Sequence, residues 1–499
     1  MSVQKVEFSA GAESSQTSDF TEKYSLSPQR KIFVNRNLRF EQIQMIGFDM
    51  DYTLLKYRKQ SIEALSYKLT VEKLIKQYGY PPELDSMIYD PAFVVRGLVV
   101  DKKTGNIFKM DHHNHVGRVY HGRRLLSRDE RKSLYRNSKI RLSGPRYHWI
   151  DTMFALPEAV LYADIIDLFE LKLGRKRIDF RQLFEDIRGA IDECHRDDSL
   201  KSVIRSNFAE FIEEDPDLPV ALHKLRSAGK KLFVLTNSYG PYTQAAMSHL
   251  LDGKLSEYPV WQNYFDFTIV GASKPAFFNE DRKFLALDKT SGDIVDDVEI
   301  SALDRQFIFQ GGSVSEFERF IDVPGEEILY VGDHIYGDII RSKKQSLWRT
   351  ALILEEMEDE IDVARRKREP QSQLLELEEE RLMLEHEITQ KKLLLNVKSE
   401  DGDHTPAVLD KKQLRLEIDV RKKELRTLIE KRDRIESEID RAYNLYWGSV
   451  FKEGNDNSCF GRQVERYACL YTSRVSNFRF YSPVQYFRSP RHWMAHEKL

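Results

Sequence analysis

Four short apolar runs in this chain each open into polar residues, and that repeated arrangement restricts the fold more than any other feature. Met45-Ile46-Gly47-Phe48 leads into Asp49-Met50-Asp51, and Lys231-Leu232-Phe233-Val234-Leu235 leads into Thr236-Asn237-Ser238. Phe265-Asp266-Phe267-Thr268-Ile269-Val270 is followed closely by Lys274-Pro275, and Ile328-Leu329-Tyr330-Val331-Gly332 by Asp333 and Asp338. Runs of this length fit buried strands. In open α/β sheets, chemistry lies beyond the carboxyl ends of such strands. Alternate strand residues face opposite ways, but a strand end opening into a loop can turn Asp49 and Asp51 toward one pocket.

An Asp-x-Asp motif alone also occurs in metal-dependent glycosyltransferases and in solvated loops. With the three later segments, the residue types are those a phosphoryl-transfer site needs. Asp49 can attack phosphorus, dividing one hard displacement into two easier ones. Asp51 can protonate the leaving oxygen and then take a proton from water. Thr236, Asn237 and Lys274 suit the charge that gathers on the phosphate oxygens, with Ser238 in support. A carboxylate nucleophile beside a phosphate calls for a hard divalent ion, magnesium first. Its expected ligands are Asp49, the backbone carbonyl of Asp51, and Asp333; Asp338 is expected to support that shell or the lysine.

Carboxylate pair, threonine, lysine, carboxylate pair, in that order, is the sequence of groups in the haloacid dehalogenase (HAD) phosphohydrolases, which this chain resembles. It is most similar to the cytosolic purine 5′-nucleotidases of the IMP/GMP-preferring branch. The blocks that carry the resemblance are Gly47–Leu54, Arg96-Gly97-Leu98-Val99, Phe154 with Leu156-Pro157-Glu158, Asp186–Asp192, Ser199-Leu200-Lys201, Trp261–Asp266, Lys274-Pro275, Gly332–Asp338, Ser342–Lys344, Trp348–Thr350 and a resumption at Gln463. The resemblance implies magnesium-dependent hydrolysis of purine nucleoside monophosphates through an aspartyl-phosphate, with phosphotransfer to a nucleoside hydroxyl as a second outcome. It also implies that Phe154 stacks on the base, that Arg188, Asp192 and His195 line the nucleoside pocket, and that Lys201 lies near the phosphate. The four- and three-residue spacing of Arg188, Asp192 and His195 independently puts them on one helical face. A solvated Arg/Asp pair is the bland alternative. An effector site for an ATP-like nucleotide is implied at Arg141, Tyr336, Lys344, Gln463, Arg466 and Tyr467. The chain departs from the family pattern at Ala155, Arg196, Tyr239-Gly240-Pro241 and Asp151, the last placing a carboxylate where the effector's phosphates would lie.

Across 499 residues, 77 basic and 80 acidic side chains leave a formal charge of −3, so no overall basic field points to nucleic acid or membrane. Cys194, Cys459 and Cys469 are too far apart for a disulfide framework, and no apolar run is long enough to span a bilayer. The expected home is the cytoplasm. The distance from the first strand near residue 45 to the second near 230 implies an insertion. The expected organisation is a disordered tail (1–28); a HAD-like, doubly wound parallel α/β core (29–60 and 215–357); an α+β cap (61–214); a charged helical hairpin (358–445); and a C-terminal segment packing on the core or an interface (446–499). In the cap, strands are expected around 96–120 and helices over 158–173 and 178–212.

The hairpin is read from two apolar stripes at heptad spacing. Leu374, Leu377, Leu384, Ile388 and Leu395 form one, broken by Arg381 and Lys391; Leu414, Ile418, Leu425, Leu428, Ile435 and Ile439 form the other. An intramolecular brace and a homo-oligomer contact both fit. Asp111-His112-His113-Asn114-His115 packs three histidines into four positions, which cannot all converge on one ion from a hairpin, so a solvated turn is expected. Two further functions stay open: a HAD phosphatase for another phosphorylated metabolite, and a scaffold using the hairpin. Intact Asp49, Asp51, Thr236, Lys274 and Asp333 argue against the scaffold.

Overall fold

Met45–Phe48 (β1) is buried along its whole length and lies inside a nine-stranded sheet. To one side it pairs in parallel with Lys231–Leu235 (β2), and the sheet continues in parallel through Phe267–Val270 (β3) to Ile308–Gly311 (β4). To the other side it pairs with Ile328–Gly332 (β5), followed by Arg349–Ile353 (β6). Strand order thus reverses at β1, the position at which open sheets form a ligand crevice. The computed structural model describes residues 26–396 and 411–492, apart from 139, 176, 290–291, 296–297, 336–337 and 339–345, together with Met494 and Glu497.

Register aligns the polar ends. Phe48 stands opposite both Val234 and Val331, so Asp49, Thr236 and Asp333 leave the sheet at the same edge. The Asp49 amide donates to the Val331 carbonyl at 2.8 Å, and the Thr236 amide to Ile269 at 3.0 Å, extending the ladders one residue into the site. Gly47 is required by its neighbour: a Cβ there would sit 2.2 Å from Cζ of Phe233.

The expected parallel α/β sheet is therefore present, with antiparallel strands at its edges. Phe284–Leu287 runs antiparallel to β4. At the far edge, Leu470–Thr472 joins β6 in parallel and Phe33–Val34 pairs antiparallel with it. The C-terminal segment thus supplies a strand of the core sheet itself. Of the tail expected over 1–28, residues 1–25 lie outside the described residues, but Pro28–Arg30 forms a 3-10 turn, and the Gln29 carbonyl accepts the Ser473 hydroxyl at 3.0 Å.

Between β1 and β2 the chain forms a five-stranded antiparallel sheet, ordered Arg124–Leu125, Val116–His121, Asn106–Met110, Leu98–Asp101, Tyr147–Ile150, with helices packed around it. Phe180–Arg196 (α1) starts at Asp179, whose side chain accepts the Arg181 and Gln182 amides. It buries Leu183, Phe184, Ile187, Ala190, Ile191 and Cys194 as one stripe. The single helical stretch expected over 178–212 is instead broken: Asp198 takes left-handed backbone (φ 66°) before Ser199–Ser206, and Ile212–Glu213 is a strand paired with Lys56–Tyr57.

Arg368–Asn396 (α2) and Lys411–Tyr443 (α3) pack on each other as the helical insertion. Leu377, Ile388, Leu414, Ile418, Leu428 and Ile439 are buried, and the remaining residues of both expected stripes are half-buried. The polar interruptions have partners: Lys391 reaches Glu417 across the hairpin at 2.7 Å, and Arg381 pairs with Glu378, which also holds Arg432 of α3 at 3.0 Å. The loop expected at Ser399–Pro406 lies outside the described residues.

Candidate active site

Asp49 follows β1 and is buried, with its Oδ1 2.9 Å from Nζ of Lys274. The same ammonium lies 2.7 Å from Oδ1 of Asp338 and donates to the Tyr330 hydroxyl at 2.8 Å. Tyr330 in turn donates to the Leu235 carbonyl at 3.0 Å, so the lysine is braced by β2 and β5. Its backbone is clamped as well. The Lys274 amide donates to Oδ1 of Asn237 at 2.5 Å, and Asn237 returns a bond to the Lys274 carbonyl at 3.0 Å. Asn237 therefore acts here on the lysine loop, where the sequence suggested a phosphate donor.

Asp51 is held from the opposite side. Tyr57 donates to its Oδ1 and Ser238 to its Oδ2, both at 2.6 Å, while the Ser238 amide donates to Oγ1 of buried Thr236 at 3.0 Å. Directly after Asp51 the chain turns, with Tyr52 in left-handed backbone (φ 55°).

Ligand oxygens of Asp49, Asp333 and Asp338 lie within 4.8 Å of one another, all three residues being buried. Burial pushes the Asp49 carboxyl up to about 7 against the pull of Lys274, with Asp338 and Asp51 adding to the rise. Burial and Asp338 together drive Asp333 well above the carboxylate range, against Arg96. Burial opposes charge on Lys274, but Asp338 and Asp49 outweigh it and keep the ammonium protonated. Three buried carboxylates stand against the Lys274 ammonium, and Arg96, 3.9 Å from Asp333, is shared with Glu356, so among the described residues this hard oxygen donor set is short of positive charge, which fits a divalent cation. Asp338 belongs to this group as well as to the lysine, while the Asp51 carboxylate is hydrogen-bonded to Tyr57 and Ser238.

Arg96 comes from the cap yet completes this region. It is 2% exposed, donates through Nε and Nη2 to both oxygens of Glu356 at 2.6 Å, and gives Nη1 to the Asp333 carbonyl at 2.9 Å. Gly332 leaves room for Asp338, since a Cβ would sit 2.5 Å from its Oδ2. His334 forms an ion pair with Asp151 at 3.1 Å. Burial opposes charge on this imidazole, but Asp151 outweighs it and holds the pKa up at about 9. The carboxylate that departs from the effector pattern thus has a partner next to Asp333 of the acidic cluster.

On the cap side, the Phe154 ring meets Tyr52 edge-on at 4.7 Å and His195 at 5.4 Å. Lys201 donates to the Ser238 hydroxyl at 3.2 Å, on the side of Asp51. Burial, then Lys201, lowers His195 to about 4, so its imidazole is neutral near pH 7. Arg188 is engaged elsewhere. Its Nη1 donates to fully buried Glu158 at 2.8 Å, and its Nε lies 3.4 Å from Asp192. The structure therefore brings Phe154, His195 and Lys201 together beside Asp51, while Arg188 pairs with Asp192 on α1 and with Glu158 on Leu156–Asp167.

Of the expected effector residues, Arg141 lies in the loop before Tyr147–Ile150, and Gln463, Arg466 and Tyr467 lie on Cys459–Tyr467, where Arg466 stacks over Tyr467 at 5.4 Å. Tyr336 and Lys344 lie outside the described residues. Tyr57, Tyr330 and Glu356 escaped sequence reading because each sits in a segment whose own pattern is explained by packing. Their partners appear only in three dimensions.

The sequence model of the 5′ nucleotidase family matches residues 32–499. A 5′-nucleotidase domain-containing protein of Dictyostelium discoideum is 30% identical over 486 residues, covering 96% of this chain and 76% of that one. The 5′-nucleotidase domain-containing protein 2 of Homo sapiens is 27% identical over 485 residues, covering 93% of this chain and 86% of that one. A solved HAD-hydrolase of Bacillus subtilis bound to magnesium shares 14% identity over 62% of this chain and 88% of that one, at a TM-score of 0.23, too low to carry an argument.

Proposed function

The chain belongs to the 5′ nucleotidase family, and on that premise we propose that it hydrolyses purine nucleoside 5′-monophosphates, IMP and GMP, at Asp49 and Asp51 with bound magnesium. The observation that carries the reading is the pair of settings given to these aspartates. Asp49 shares Lys274 with Asp338 in a buried acidic cluster, and Asp51 is oriented by Tyr57 and Ser238 a short turn away.

Asp49 Oδ attacks phosphorus in line, forming the aspartyl-phosphate as the bond to the ester oxygen breaks, and Asp51 delivers a proton to that leaving oxygen. Water then attacks phosphorus, gives its proton to Asp51, and releases inorganic phosphate with the Asp49 carboxylate restored. A nucleoside hydroxyl in place of water yields phosphotransfer. Magnesium, held by Asp49, Asp333 and the Asp51 carbonyl, would supply the positive charge that keeps Asp49 ionised beside a phosphate dianion. Lys274 meets charge on the phosphate oxygens while keeping Asp49 aimed, and Asn237 fixes the lysine's backbone. On the cap, Phe154 and neutral His195 offer an apolar seat for a base, and Lys201 a cation for the phosphate.

Arg188 favours a second reading. Its bonds to Glu158 and Asp192, together with the departures at Ala155 and Arg196, fit a phosphatase whose natural substrate is another phosphorylated metabolite. Phosphate release over a panel of nucleoside monophosphates and sugar phosphates, with magnesium or with a chelator, separates the two. Preference for IMP and GMP that vanishes on chelation is expected; preference for a sugar phosphate selects the second reading, and no release from any substrate sinks both. The same assay with ATP added tests the effector residues Arg141, Gln463 and Arg466.

A further inference from the structure

The turn at Asp111–His115 reads differently once its surroundings are visible. Its three histidines are held differently. His115 turns back to Asp111, its Nδ1 3.1 Å from Oδ2, and the His113 and His115 amides both donate to Oδ1 of Asp111, at 2.8 and 2.9 Å. Asn114 takes left-handed backbone (φ 67°) to close the turn. That folding leaves His112 and His113 side by side, ring centroids 3.8 Å apart.

The third group comes from a remote segment. Lys452–Glu453 and Asp456–Asn457 form a small antiparallel hairpin just after the helical insertion, and the His112 amide donates to the Asn457 carbonyl at 3.0 Å. Asp111 bridges to Ser458 alongside, and the Glu453 carboxylate accepts the Arg118 amide at 3.2 Å, so the two hairpins are docked through backbone groups and one side chain. One ligand atom each from His112, His113 and Asp456 then lies within 4.8 Å of the others. Independently, Nδ1 of His112 is shielded from solvent and has no hydrogen-bond partner among the described residues. His112, with a shielded ring nitrogen that has no partner among the described residues, thus stands beside a second imidazole and a carboxylate, a nitrogen-rich donor set that a hard ion such as magnesium does not prefer.

We propose that His112, His113 and Asp456 form a surface site for a transition ion of the zinc class, bridging the cap's β-hairpin to the hairpin that follows the helical insertion. Two imidazoles and one carboxylate supply three ligands, and water completes the shell. Donors around a tetrahedral zinc ion are about 3.3 Å apart given bond lengths near 2.0 Å. His113 and Asp456 are exposed and can close that difference by side-chain rotation. The ion would fasten the exit of the insertion to the cap, and it is independent of the carboxylates at the catalytic cluster.

Zinc titrated into the full chain in excess magnesium, followed calorimetrically, tests the site. His113→Ala and Asp456→Ala, which change exposed side chains, should each weaken one zinc-binding event by at least about tenfold, the lower end of what losing even an outer partner of a metal ligand costs. His115→Ala, checked for an unchanged circular dichroism spectrum, should bind zinc as the parent does. Zinc should also raise the thermal midpoint of the parent more than that of Asp456→Ala. Equal zinc affinity in the parent, His113→Ala and Asp456→Ala, or parent binding only at millimolar zinc, overturns the proposal. So does loss of binding in folded His115→Ala, because it would move the ligand set elsewhere.

Discussion

Arg96 makes three charge-assisted hydrogen bonds at 2% exposure, two to Glu356 and one to the carbonyl of Asp333, so a cap residue fixes the backbone beside the acidic cluster. Lysine keeps the charge but cannot span a carboxylate and a carbonyl with one planar fork. Arg96→Lys should therefore raise the magnesium needed for half-maximal phosphate release by about tenfold or more, with a smaller loss at saturating magnesium; an unchanged magnesium requirement would remove Arg96 from the metal's support. Asp49→Asn is expected to abolish phosphate release from IMP with an unchanged circular dichroism spectrum, and Asp51→Asn nearly to do so. Wild-type-like turnover by Asp49→Asn would end the aspartyl-phosphate reading. These aspartates, with Thr236, Lys274 and Asp333, stand out in the sequence because each follows an apolar run, directly or within a few residues, with a polar side chain that packing alone does not call for. Tyr330 could not, since an aromatic residue inside Ile328–Gly332 is what a buried strand contains anyway, and its bond to Lys274 is a matter of tertiary placement.

Elements place those residues through register, and register depends on close packing between neighbouring strands. Phe233 stacks on Phe267 at 5.0 Å and is fully buried, so its ring has little room to retreat from a side chain at Gly47. Gly47→Ala should destabilise the fold by about 1–3 kcal/mol through overpacking, read as a lower urea midpoint, and Phe233→Leu in the same chain should recover part of it. A midpoint unchanged by Gly47→Ala would show that β1 and β2 can separate without cost, undermining the register argument for the site. The buried strands and the two heptad stripes are legible because burial repeats with the geometry of each element. Breaks are less so: the end of α1 is set by left-handed Asp198, and no periodicity marks that residue. The histidine turn shows the same limit, since its third neighbour, Asp456, sits in a hairpin remote in sequence.

At the scale of the whole molecule, the long helices meet the rest of the chain at one end, and that end is part of the core. Glu356 holds Arg96, Glu358 receives two bonds from Arg474 at 2.7 and 2.8 Å, and Glu360 accepts the Ser449 hydroxyl at 2.7 Å. Beyond Met357–Arg366 the contacts turn inward. Lys367 reaches Glu438 at 2.6 Å and Gln371 reaches Tyr443 at 3.2 Å, so the two helices stand side by side where they leave the core. A short Gly/Ser linker can therefore replace residues 373–436 without disturbing these ties. Leu375, Leu382 and Met383 are 69, 61 and 65% exposed on α2, and Leu416 is 61% exposed on α3, apolar surface that the hairpin does not cover by itself. The deletion variant is expected to remain folded and to keep magnesium-dependent phosphate release, because Asp49, Asp51, Thr236, Lys274 and Asp333 all lie outside the removed segment, and to show fewer copies per particle by light scattering as that apolar surface is lost. A folded, active variant with the parent's number of copies per particle would make the hairpin a brace within one chain. Loss of folding would show that α2 and α3 support the core through more than the pairings at their base.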